Sequence, residues 1–314
     1  MAFAFVFPGQ GSQSVGMMAA YGDSAVVRAT FDEASAALDQ DLWQLLAAGP
    51  AEALAQTVNT QPVMLTAGVA VYRLWLDKRG KPPVVLAGHS LGEYSALVAA
   101  SVIPFADALP LVRLRAAAMQ EAVPVGSGAM AAILGLDDDK IAEACREAEA
   151  AAGVGAVVAP VNFNGPGQTV IAGSKAAVEL ACAACKARGA KRALLLPVSA
   201  PFHCSLIRPA ADKLAARLAQ LSFAAPQIPV INNVDVAIES EPERIKDALV
   251  RQAYSPVRWV ETIRTMAAID DLTTVAECGP GKVLAGLTRR CADRLASVAL
   301  ADLAAIESAV ANLE

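Results

Sequence analysis

Apolar and polar residues follow two periodicities in the first and last parts of the chain. Short apolar runs predict strands at residues 1–7, around 229–236, at 273–277 and at 297–301. Apolar positions three or four residues apart predict helices between Val26 and Leu46 and over residues 62–78, 209–221 and 242–254. Pro82 and Pro83 end the second of these helices before another strand. Strands that alternate with helices are typical of an α/β fold with a mainly parallel sheet.

The middle of the chain has a different order of elements. Strands are predicted at residues 128–136, 157–164, 169–173 and 192–199, and helices at about 139–151 and 175–188. Asp138 and Ser174 occupy N-cap positions, and Gly189 follows the second helix as a C-cap. The order β-α-β-β-α-β is that of a ferredoxin-like unit. We therefore predict a small ferredoxin-like subdomain, residues 126–197, inserted into a large α/β subdomain formed by residues 1–125 and 198–314.

The composition narrows the class of protein. Hydrophobic residues make up 55% of the 314 residues but aromatic residues only 5%, which favours a soluble, helix-rich protein. No apolar run reaches the roughly 18 residues of a membrane span, and residues 1–7 lack the basic start and the cleavage site of a signal peptide. We therefore expect a cytoplasmic protein with no membrane attachment. The formal net charge of -5 argues against a nucleic-acid binder.

The six cysteines are expected to be reduced thiols. Cys182 and Cys185 have the spacing of a metal or redox pair, but they fall within a predicted helix. No second pair of cysteines has the spacing of metal ligands. We therefore predict no metal site.

The pentapeptide Gly88-His89-Ser90-Leu91-Gly92 follows an apolar strand and precedes a helical pattern. This is the strand-turn-helix context that a Gly-x-Ser-x-Gly nucleophile requires, because the serine occupies a tight, strained turn. The dipole of the following helix favours the negative charge that forms during attack. A glycine-rich turn without chemistry is the alternative interpretation.

A serine hydroxyl is a weak nucleophile that needs a base, and the chain has two histidines. His89 shares the turn with Ser90, where neighbouring side chains diverge, so we interpret it as a packing residue. His203 lies between a strand-like run and a helix, in the kind of loop that carries catalytic groups. By elimination, His203 is the candidate base. Most acids between Ser90 and His203, from Asp137 to Glu179, fall in the insertion on predicted solvated helix faces, so no third member of a triad is visible. A backbone carbonyl or an amide side chain is expected to orient the imidazole instead.

Several longer motifs together resemble the malonyl-CoA:acyl carrier protein transacylases of bacterial fatty acid synthesis. They are FPGQGSQ (7–13), GHSLGE (88–93), LVRLRAAAMQEA (111–122), PVNFNGPGQTVIAG (160–173), the pair Phe202-His203, VRQAYSPVRW (250–259) and ECGPGKVL (277–284). The resemblance implies a hydrolase-like large subdomain with an inserted ferredoxin-like one. It also implies a ping-pong transfer of malonyl from malonyl-CoA to the phosphopantetheine thiol of acyl carrier protein, with no permanently bound cofactor.

The same resemblance implies roles for individual residues. Ser90 would be the nucleophile and His203 its base, while the backbone N–H groups of Gln10 and Leu91 would hold the oxyanion. Loss of one such donor typically costs about 3 to 4 kcal/mol of transition-state stabilisation. The backbone carbonyl of Gln252 would accept a hydrogen bond from the histidine.

Specificity is also implied by the resemblance. Arg115 would bind the free malonyl carboxylate, as a planar guanidinium does well. Spacing alone does not separate Arg115 from Arg113, since both flank the same apolar stripe of a predicted helix. Phe202 would crowd an α-methyl branch and so favour malonyl over methylmalonyl. A contrast of this kind is worth only about 1 to 3 kcal/mol.

Two other functions stay open at this point: a serine hydrolase, and a non-catalytic module that docks a carrier protein. For the transferase, the expected transient partner is an acidic acyl carrier protein, and the enzyme is expected to be a monomer. The basic positions 186, 188, 191 and 192 are either a solvated face or a surface that steers this partner by charge.

Overall fold

The computed structural model describes residues 2–198 and 200–313 of the chain. Met1 and Ser199, at the ends of two predicted strands, lie outside the described residues, as does Glu314. The first elements in chain order are β1 (Ala2–Phe7), α1 (Ala25–Leu38), α2 (Leu42–Ala48), α3 (Ala51–Ala55), α4 (Thr57–Asp77), β2 (Val85–Gly88), α5 (Gly92–Ala99) and α6 (Phe105–Glu121).

The inserted segment and the rest of the chain follow. The insertion contains β3 (Gly128–Leu134), α7 (Asp138–Ala152), β4 (Val158–Gly165), β5 (Gln168–Ser174), α8 (Lys175–Ala187) and β6 (Arg192–Leu195). The remaining elements are α9 (Arg208–Leu218), β7 (Val230–Ile231), α10 (Pro242–Tyr254), α11 (Trp259–Ala267), β8 (Leu272–Glu277), α12 (Val283–Cys291), β9 (Ala296–Ala299) and α13 (Leu303–Asn312).

The large subdomain is built on a parallel sheet with the strand order β7-β2-β1-β8-β9. On one face of its central strand, the rings of Phe3 and Phe5 pack against Trp75 of α4, with centroids 5.7 and 5.1 Å apart. On the other face, Val6 belongs to a core cluster that includes Trp259 of α11. Helices therefore cover both faces, which explains why these strands are continuous apolar runs. The predicted α/β class with a mainly parallel sheet is confirmed.

The insertion forms a separate antiparallel sheet with the strand order β4-β5-β3-β6. Its two helices, α7 and α8, pack on one face around a core that contains Ile133, Ile141 and Val178. The predicted β-α-β-β-α-β order of a ferredoxin-like unit is confirmed. The boundaries of the two subdomains at residues 125/126 and 197/198 remain our proposal.

Backbone hydrogen bonds join the small subdomain to the large one. The N–H of Phe163 in β4 donates to the carbonyl oxygen of Val257 at 3.0 Å. The N–H of Val257 in turn donates to the carbonyl oxygen of Val161 at 2.8 Å. Strand β4 is thereby fixed beside the segment that enters α11, and one wall of the cleft between the subdomains is set.

Two details of the predicted helices were wrong. The helical pattern between Val26 and Leu46 is two helices, because Asp39 adopts a left-handed conformation with φ 49° and ends α1. Asp41 then caps α2 by accepting a hydrogen bond from the N–H of Gln44. In the insertion, the N-cap of α7 is Asp137, not Asp138, and the Asp138 carboxylate accepts from the hydroxyl of Thr169 instead.

The other predicted helix ends in the insertion agree with the structure. Ser174 is the N-cap residue of α8, although its hydroxyl accepts from the N–H of Val157 and not from the helix. Gly189 follows the C-cap Arg188 with φ 97°, a left-handed conformation that glycine adopts at little cost.

The carboxyl ends of parallel strands meet at one edge of the large sheet. Gln10 lies in the loop after β1, Ser90 in the turn after β2, and Asn233 in the loop after β7. Ligand sites of open α/β sheets lie at this edge. The fold therefore brings together polar groups that are far apart in the sequence.

The glycines of the pentapeptide allow this turn to pack tightly. A Cβ atom on Gly88 would lie 1.9 Å from the carbonyl carbon of Gly92, and a Cβ atom on Gly92 would lie 2.0 Å from the carbonyl oxygen of Phe7. These neighbours are backbone atoms, so they cannot move aside as a flexible side chain would. Helix α5 can therefore begin directly against the end of β1 only with glycine at these positions.

Gly92→Ala is expected to lower the free energy of unfolding by about 2 kcal/mol, since the added methyl group must push α5 away from β1. The matched control is Gly286→Ala in the exposed part of α12, where nothing lies within 4 Å of the new Cβ atom. This control should gain about 1 kcal/mol from helix propensity. Urea unfolding followed by circular dichroism measures both, and equal stability of the two variants would contradict the packing argument.

Candidate active site

Ser90 lies in the turn between β2 and α5 with φ 52°, a left-handed conformation that is strained for a residue with a side chain. The turn points its hydroxyl at His203, and Ser90 Oγ lies 2.7 Å from His203 Nε2. His203 is itself in a left-handed conformation, with φ 64°, and only 3% of its surface is exposed. The two residues that the sequence paired by elimination are therefore in hydrogen-bond contact.

The other imidazole nitrogen fixes the orientation of His203. Nδ1 lies 2.9 Å from the backbone carbonyl oxygen of Gln252, which can only accept, so Nδ1 carries the proton. Nε2 is then free to accept from the Ser90 hydroxyl. Burial, together with the positive charge of Arg115, lowers the pKa of His203 to about 3. The imidazole is consequently neutral at physiological pH, as a base must be.

Gln10 and Leu91 both lie close to the turn that carries Ser90. Leu91 directly follows the serine, and the loop that carries Gln10 is pressed against the same turn, since a Cβ atom on Gly9 would lie 2.5 Å from the carbonyl oxygen of His89. Among the described residues, the backbone N–H groups of Gln10 and Leu91 have no acceptor. Both residues line the cavity in front of Ser90. Their amides can therefore receive a negatively charged oxygen.

Arg115 is buried, with 2% of its surface exposed, and its guanidinium reaches the serine. Its Nη1 donates to Gln61 Oε1 at 2.9 Å, and its Nη2 lies 3.0 Å from Gln252 Oε1 and 3.2 Å from Ser90 Oγ. Within the described part of the chain, no carboxylate forms an ion pair with this guanidinium. A buried cation without a paired carboxylate is suited to an anionic ligand.

Arg113, the other arginine of the predicted stripe, points elsewhere. Its guanidinium donates to the carbonyl oxygen of Leu38 and to Gln40 Oε1, at the break between α1 and α2. The structure thus separates the two arginines that the spacing left equivalent, and it directs Arg115 to the serine.

The side chain of Gln252 connects the groups of the site. Besides its contact with Arg115, its Nε2 donates to the carbonyl oxygen of Ser90 at 3.0 Å and to Glu93 Oε2 at 2.9 Å. Glu93 is 2% exposed, and burial raises the pKa of its carboxyl group to about 7, against the opposing effect of its hydrogen bonds. One residue of α10 therefore touches the serine, its base and the arginine.

A cavity of about 110 Å³ lies in front of the serine, between the two subdomains. Phe202 lines it, with 9% of its surface exposed. The wall opposite Ser90 comes from the insertion and the segment that follows it: Met130, Asn162, Leu196 and Val198. His89 also reaches the cavity, but its Nε2 lies 2.8 Å from Asn164 Oδ1 and its ring packs against Trp259, which agrees with its interpretation as a packing residue.

Three polar residues of this network were not predicted from the sequence. Gln61 of α4 holds Arg115, Glu93 of α5 accepts from Gln252, and Asn233 accepts a hydrogen bond from the backbone N–H of Ser90. A signal existed for two of them. Glu93 is the one charged residue of a mostly apolar helix, and Asn233 follows a strand at the edge where such sites form.

The described residues show no arrangement typical of a metal site, of a reactive cysteine or of a membrane-spanning helix. Within residues 2–198 and 200–313, no group of three or more His, Cys, Asp or Glu side chains is arranged to hold a metal ion. Cys204 adjoins His203, but its thiol donates to the carbonyl oxygen of Pro201, and burial raises its pKa to about 11. In the same part of the chain, no helix is long and apolar enough to cross a membrane.

Comparisons with known proteins agree with this geometry. The family model for the acyl transferase domain matches residues 4–306. The chain is 60% identical over 309 residues to the malonyl CoA-acyl carrier protein transacylase of Escherichia coli K12, with 98% of each chain covered. It is also 60% identical to an acyl-carrier-protein S-malonyltransferase of Burkholderia pseudomallei 1710b, whose crystal structure covers 99% of this chain and 100% of its own with a TM-score of 0.96.

A further solved structure is a malonyl-transacylase in complex with a type II PKS acyl-carrier protein. It is 54% identical to this chain, with a TM-score of 0.96, and it covers 99% of this chain and 100% of its own. The matched range, residues 4–306, thus spans both subdomains and the positions of the site.

Because His203 has a lowered pKa, its neutral form should persist into the acidic range. Labelling of Ser90 by an uncharged fluorophosphonate should therefore keep its rate constant within about twofold between pH 7 and pH 5, whereas an ordinary imidazole would lose activity around pH 6.5. Glu93→Gln serves as the control, since it removes the nearby carboxyl group that titrates around pH 7. A loss centred near pH 6.5 in both proteins would contradict the lowered pKa of His203.

Proposed function

The chain belongs to the acyl transferase family, and we propose that it moves malonyl groups from malonyl-CoA to the phosphopantetheine thiol of an acyl carrier protein through an ester on Ser90. It is an acyltransferase, and its relatives are named for this reaction. The observation that carries the proposal is the contact of Ser90 Oγ with both His203 Nε2 and the Arg115 guanidinium. A nucleophile, a base and an anion binder are then within reach of one small acyl group.

The first half-reaction loads the enzyme. Ser90 Oγ attacks the thioester carbonyl of malonyl-CoA while its proton passes to His203 Nε2. The carbonyl oxygen becomes an oxyanion that accepts from the N–H groups of Leu91 and Gln10. The carbon–sulfur bond then breaks, and the coenzyme A thiolate takes the proton from His203. Malonyl remains on Ser90 as an ester, and His203 is neutral again.

The second half-reaction runs through the same groups. The phosphopantetheine thiol gives its proton to His203 and attacks the malonyl ester, and the oxyanion again accepts from Leu91 and Gln10. The bond between the acyl carbon and Ser90 Oγ breaks, and His203 returns the proton to Oγ. No bound cofactor takes part in either step. The product is malonyl on the carrier protein, which fatty acid elongation would consume.

Arg115 selects the acyl group and tunes the base. Its guanidinium is the counter-ion for the free malonyl carboxylate, which an acetyl group lacks. The same positive charge contributes to the low pKa of His203. Since a bound carboxylate offsets this charge, the pKa of His203 should rise towards the physiological range when malonyl is in place. Loading would thus be favoured for acyl groups that carry a carboxylate.

Phe202 contributes to the choice of acyl group. Phe202 lines the acyl cavity, where an α-methyl branch would crowd its ring, so malonyl should be preferred over methylmalonyl.

An acidic carrier protein would be steered by exposed Lys186, Lys191 and Arg192 of the small subdomain. Arg188 contributes less, since its guanidinium is paired with Glu147.

Ser90→Ala is expected to abolish covalent labelling by radioactive malonyl-CoA, because Ser90 is the one hydroxyl-bearing residue among the described residues that line the cavity. The wild-type protein should bind about one label, and a carrier-protein thiol should remove it as a malonyl thioester. The control is Cys204→Ala, which removes a neighbouring thiol that faces away from the cavity and should leave labelling intact. Gel filtration of the labelled protein followed by peptide mapping measures all three.

Each alternative function gives a different result in this experiment. Label that remains in Ser90→Ala would remove this serine as the attachment point. Rapid release of free malonate by the wild-type protein would indicate a hydrolase, and a wild-type protein without label would indicate a docking module.

Arg115→Ala should lower kcat/KM for malonyl-CoA by about a hundredfold, or about 3 kcal/mol, because the carboxylate loses a charged hydrogen-bond donor. The relative rate with acetyl-CoA should rise. Arg113→Ala on the same helix is the matched control, since its guanidinium contacts Leu38 and Gln40 and not the site. Steady-state kinetics with both thioesters measures the ratio, and the same malonyl-to-acetyl ratio in both variants would contradict the role of Arg115.

A further inference from the structure

Asn233 holds both sides of the turn that carries the nucleophile. Its Oδ1 accepts from the backbone N–H of Ser90 at 2.7 Å, and its Nδ2 donates to the backbone carbonyl oxygen of Gly88 at 2.7 Å. The side chain is fully buried, with 0% of the residue exposed. A single planar amide therefore bridges the residue at the end of β2 and the serine itself.

The bridge is made where the backbone is strained. Ser90 has φ 52°, so neither strand β2 nor helix α5 provides a regular partner for its N–H group. A buried N–H group without an acceptor is unfavourable. Without Asn233, the strained turn would therefore relax towards a conformation in which the Ser90 N–H group finds another acceptor. The amide of Asn233 removes this option, because it occupies the N–H of Ser90 and the carbonyl of Gly88 together.

Asn233 is in turn held by Glu93. Glu93 Oε2 accepts from the backbone N–H of Asn233 at 2.9 Å and from Gln252 Nε2 at 2.9 Å. The backbone carbonyl oxygen of Gln252 also accepts a hydrogen bond from His203 Nδ1. The Glu93 carboxylate therefore helps to position both the nucleophile turn and the base. The loop after β7 thus reaches Ser90 from the side opposite the cavity.

We propose that Asn233 is a positioning residue for the nucleophile: its amide fixes the Ser90 turn so that Oγ stays in line with His203 Nε2. It touches neither the acyl cavity nor the reacting oxygen. The inference rests on the proposed function of Ser90 as the nucleophile. It assigns to Asn233 a contribution to the rate of acyl transfer and none to the binding of the malonyl carboxylate, which Arg115 receives.

The first test compares Asn233→Ala with Asn232→Ala. Asn232 is the buried neighbour, whose Oδ1 accepts from the N–H of Asp235. Among the described residues it has no hydrogen bond to the nucleophile turn. Single-turnover acylation by malonyl-CoA should slow by about a hundredfold in Asn233→Ala, the usual effect of a small misplacement of a reacting group. Asn232→Ala should acylate within about twofold of the wild-type rate, even if its thermal unfolding midpoint falls.

The binding of substrate provides a second readout in the same variants. The malonyl-to-acetyl preference and the apparent affinity for malonyl-CoA should stay unchanged in Asn233→Ala, because Arg115 is held by Gln61 and Gln252. A general loss of structure would instead alter rate, affinity and preference together.

Asn233→Asp tests the two-sided bridge even if the alanine variant does not fold. A protonated carboxyl group can accept from Ser90 N–H and donate to the Gly88 carbonyl, as the amide does, whereas an ionised one cannot donate. Burial next to Glu93 should raise the pKa of the new carboxyl group. The acylation rate of Asn233→Asp, divided by the wild-type rate, should therefore rise by about tenfold or more as the pH is lowered from 8 to 5.

Other ionisable groups near this position occur in both proteins, so the ratio removes the part of their titration that the new carboxyl group leaves unchanged. They are Glu93 on α5, Arg115 on α6, His203 before α9, Asp235 in the loop after β7 and Arg258 before α11. The outcomes are distinct. If wild-type Ser90 takes no malonyl, the proposed function fails and this inference fails with it. If wild-type Ser90 is loaded but Asn233→Ala acylates as fast as Asn232→Ala, or the ratio for Asn233→Asp stays flat, the inference alone is overturned.

Discussion

The hydrogen bond between Ser90 Oγ and His203 Nε2 is the contact on which the rest of the site depends. It spans 2.7 Å between residues that are 113 positions apart. Both residues adopt left-handed backbone conformations to make it, and neither conformation is favourable for a side chain of that size. Contacts in the surrounding fold stabilise these strained conformations. Glycines let β1 and α5 meet at the turn, the amide of Asn233 bonds to the turn, and the backbone carbonyl of Gln252 orients the imidazole.

Electrostatics give this contact its chemical character. A buried guanidinium lies beside a buried imidazole, so the imidazole is kept neutral. The guanidinium is held by uncharged groups: two side-chain amides, the Ser90 hydroxyl and the ring of Tyr94. Such an arrangement is unfavourable until an anion arrives, and it favours the protonation state that a base requires. The same two groups therefore link selection of a carboxylate to the activation of the serine. Glu93, with its raised pKa, connects the network to the loop after β7 without pairing directly with Arg115.

Much of this could be predicted from the sequence because the signals are local. The strand-turn-helix context of Ser90 and each element of the βαββαβ insertion depend on neighbouring residues. The search for a base was short because the chain has two histidines. The helix break at Asp39 was missed because a left-handed aspartate in a helical pattern has no apolar signature. The choice between Arg113 and Arg115 could not be made from spacing, since both flank one stripe and only the packing of α6 against α4 separates them.

Polar contacts between residues far apart in the chain could not be predicted from the sequence either. Asn233 reaches Ser90 across 143 positions, and Gln252 reaches it across 162, and no periodicity predicts which amide will face which backbone group. The resemblance to a known family supplied the backbone role of Gln252 but not its side-chain contacts. Those contacts follow from the parallel sheet, which gathers the ends of β1, β2 and β7 at one edge, and from the way α10 packs behind that edge.

The central claim, that the acyl group rests on Ser90 between two separate half-reactions, is tested most directly by isotope exchange. Radiolabelled free coenzyme A would be mixed with unlabelled malonyl-CoA and the enzyme, with no carrier protein present. A ping-pong path through malonyl-Ser90 predicts that label enters malonyl-CoA at a rate comparable to the overall transfer. Transfer that proceeds with carrier protein, but no exchange without it, would contradict the account.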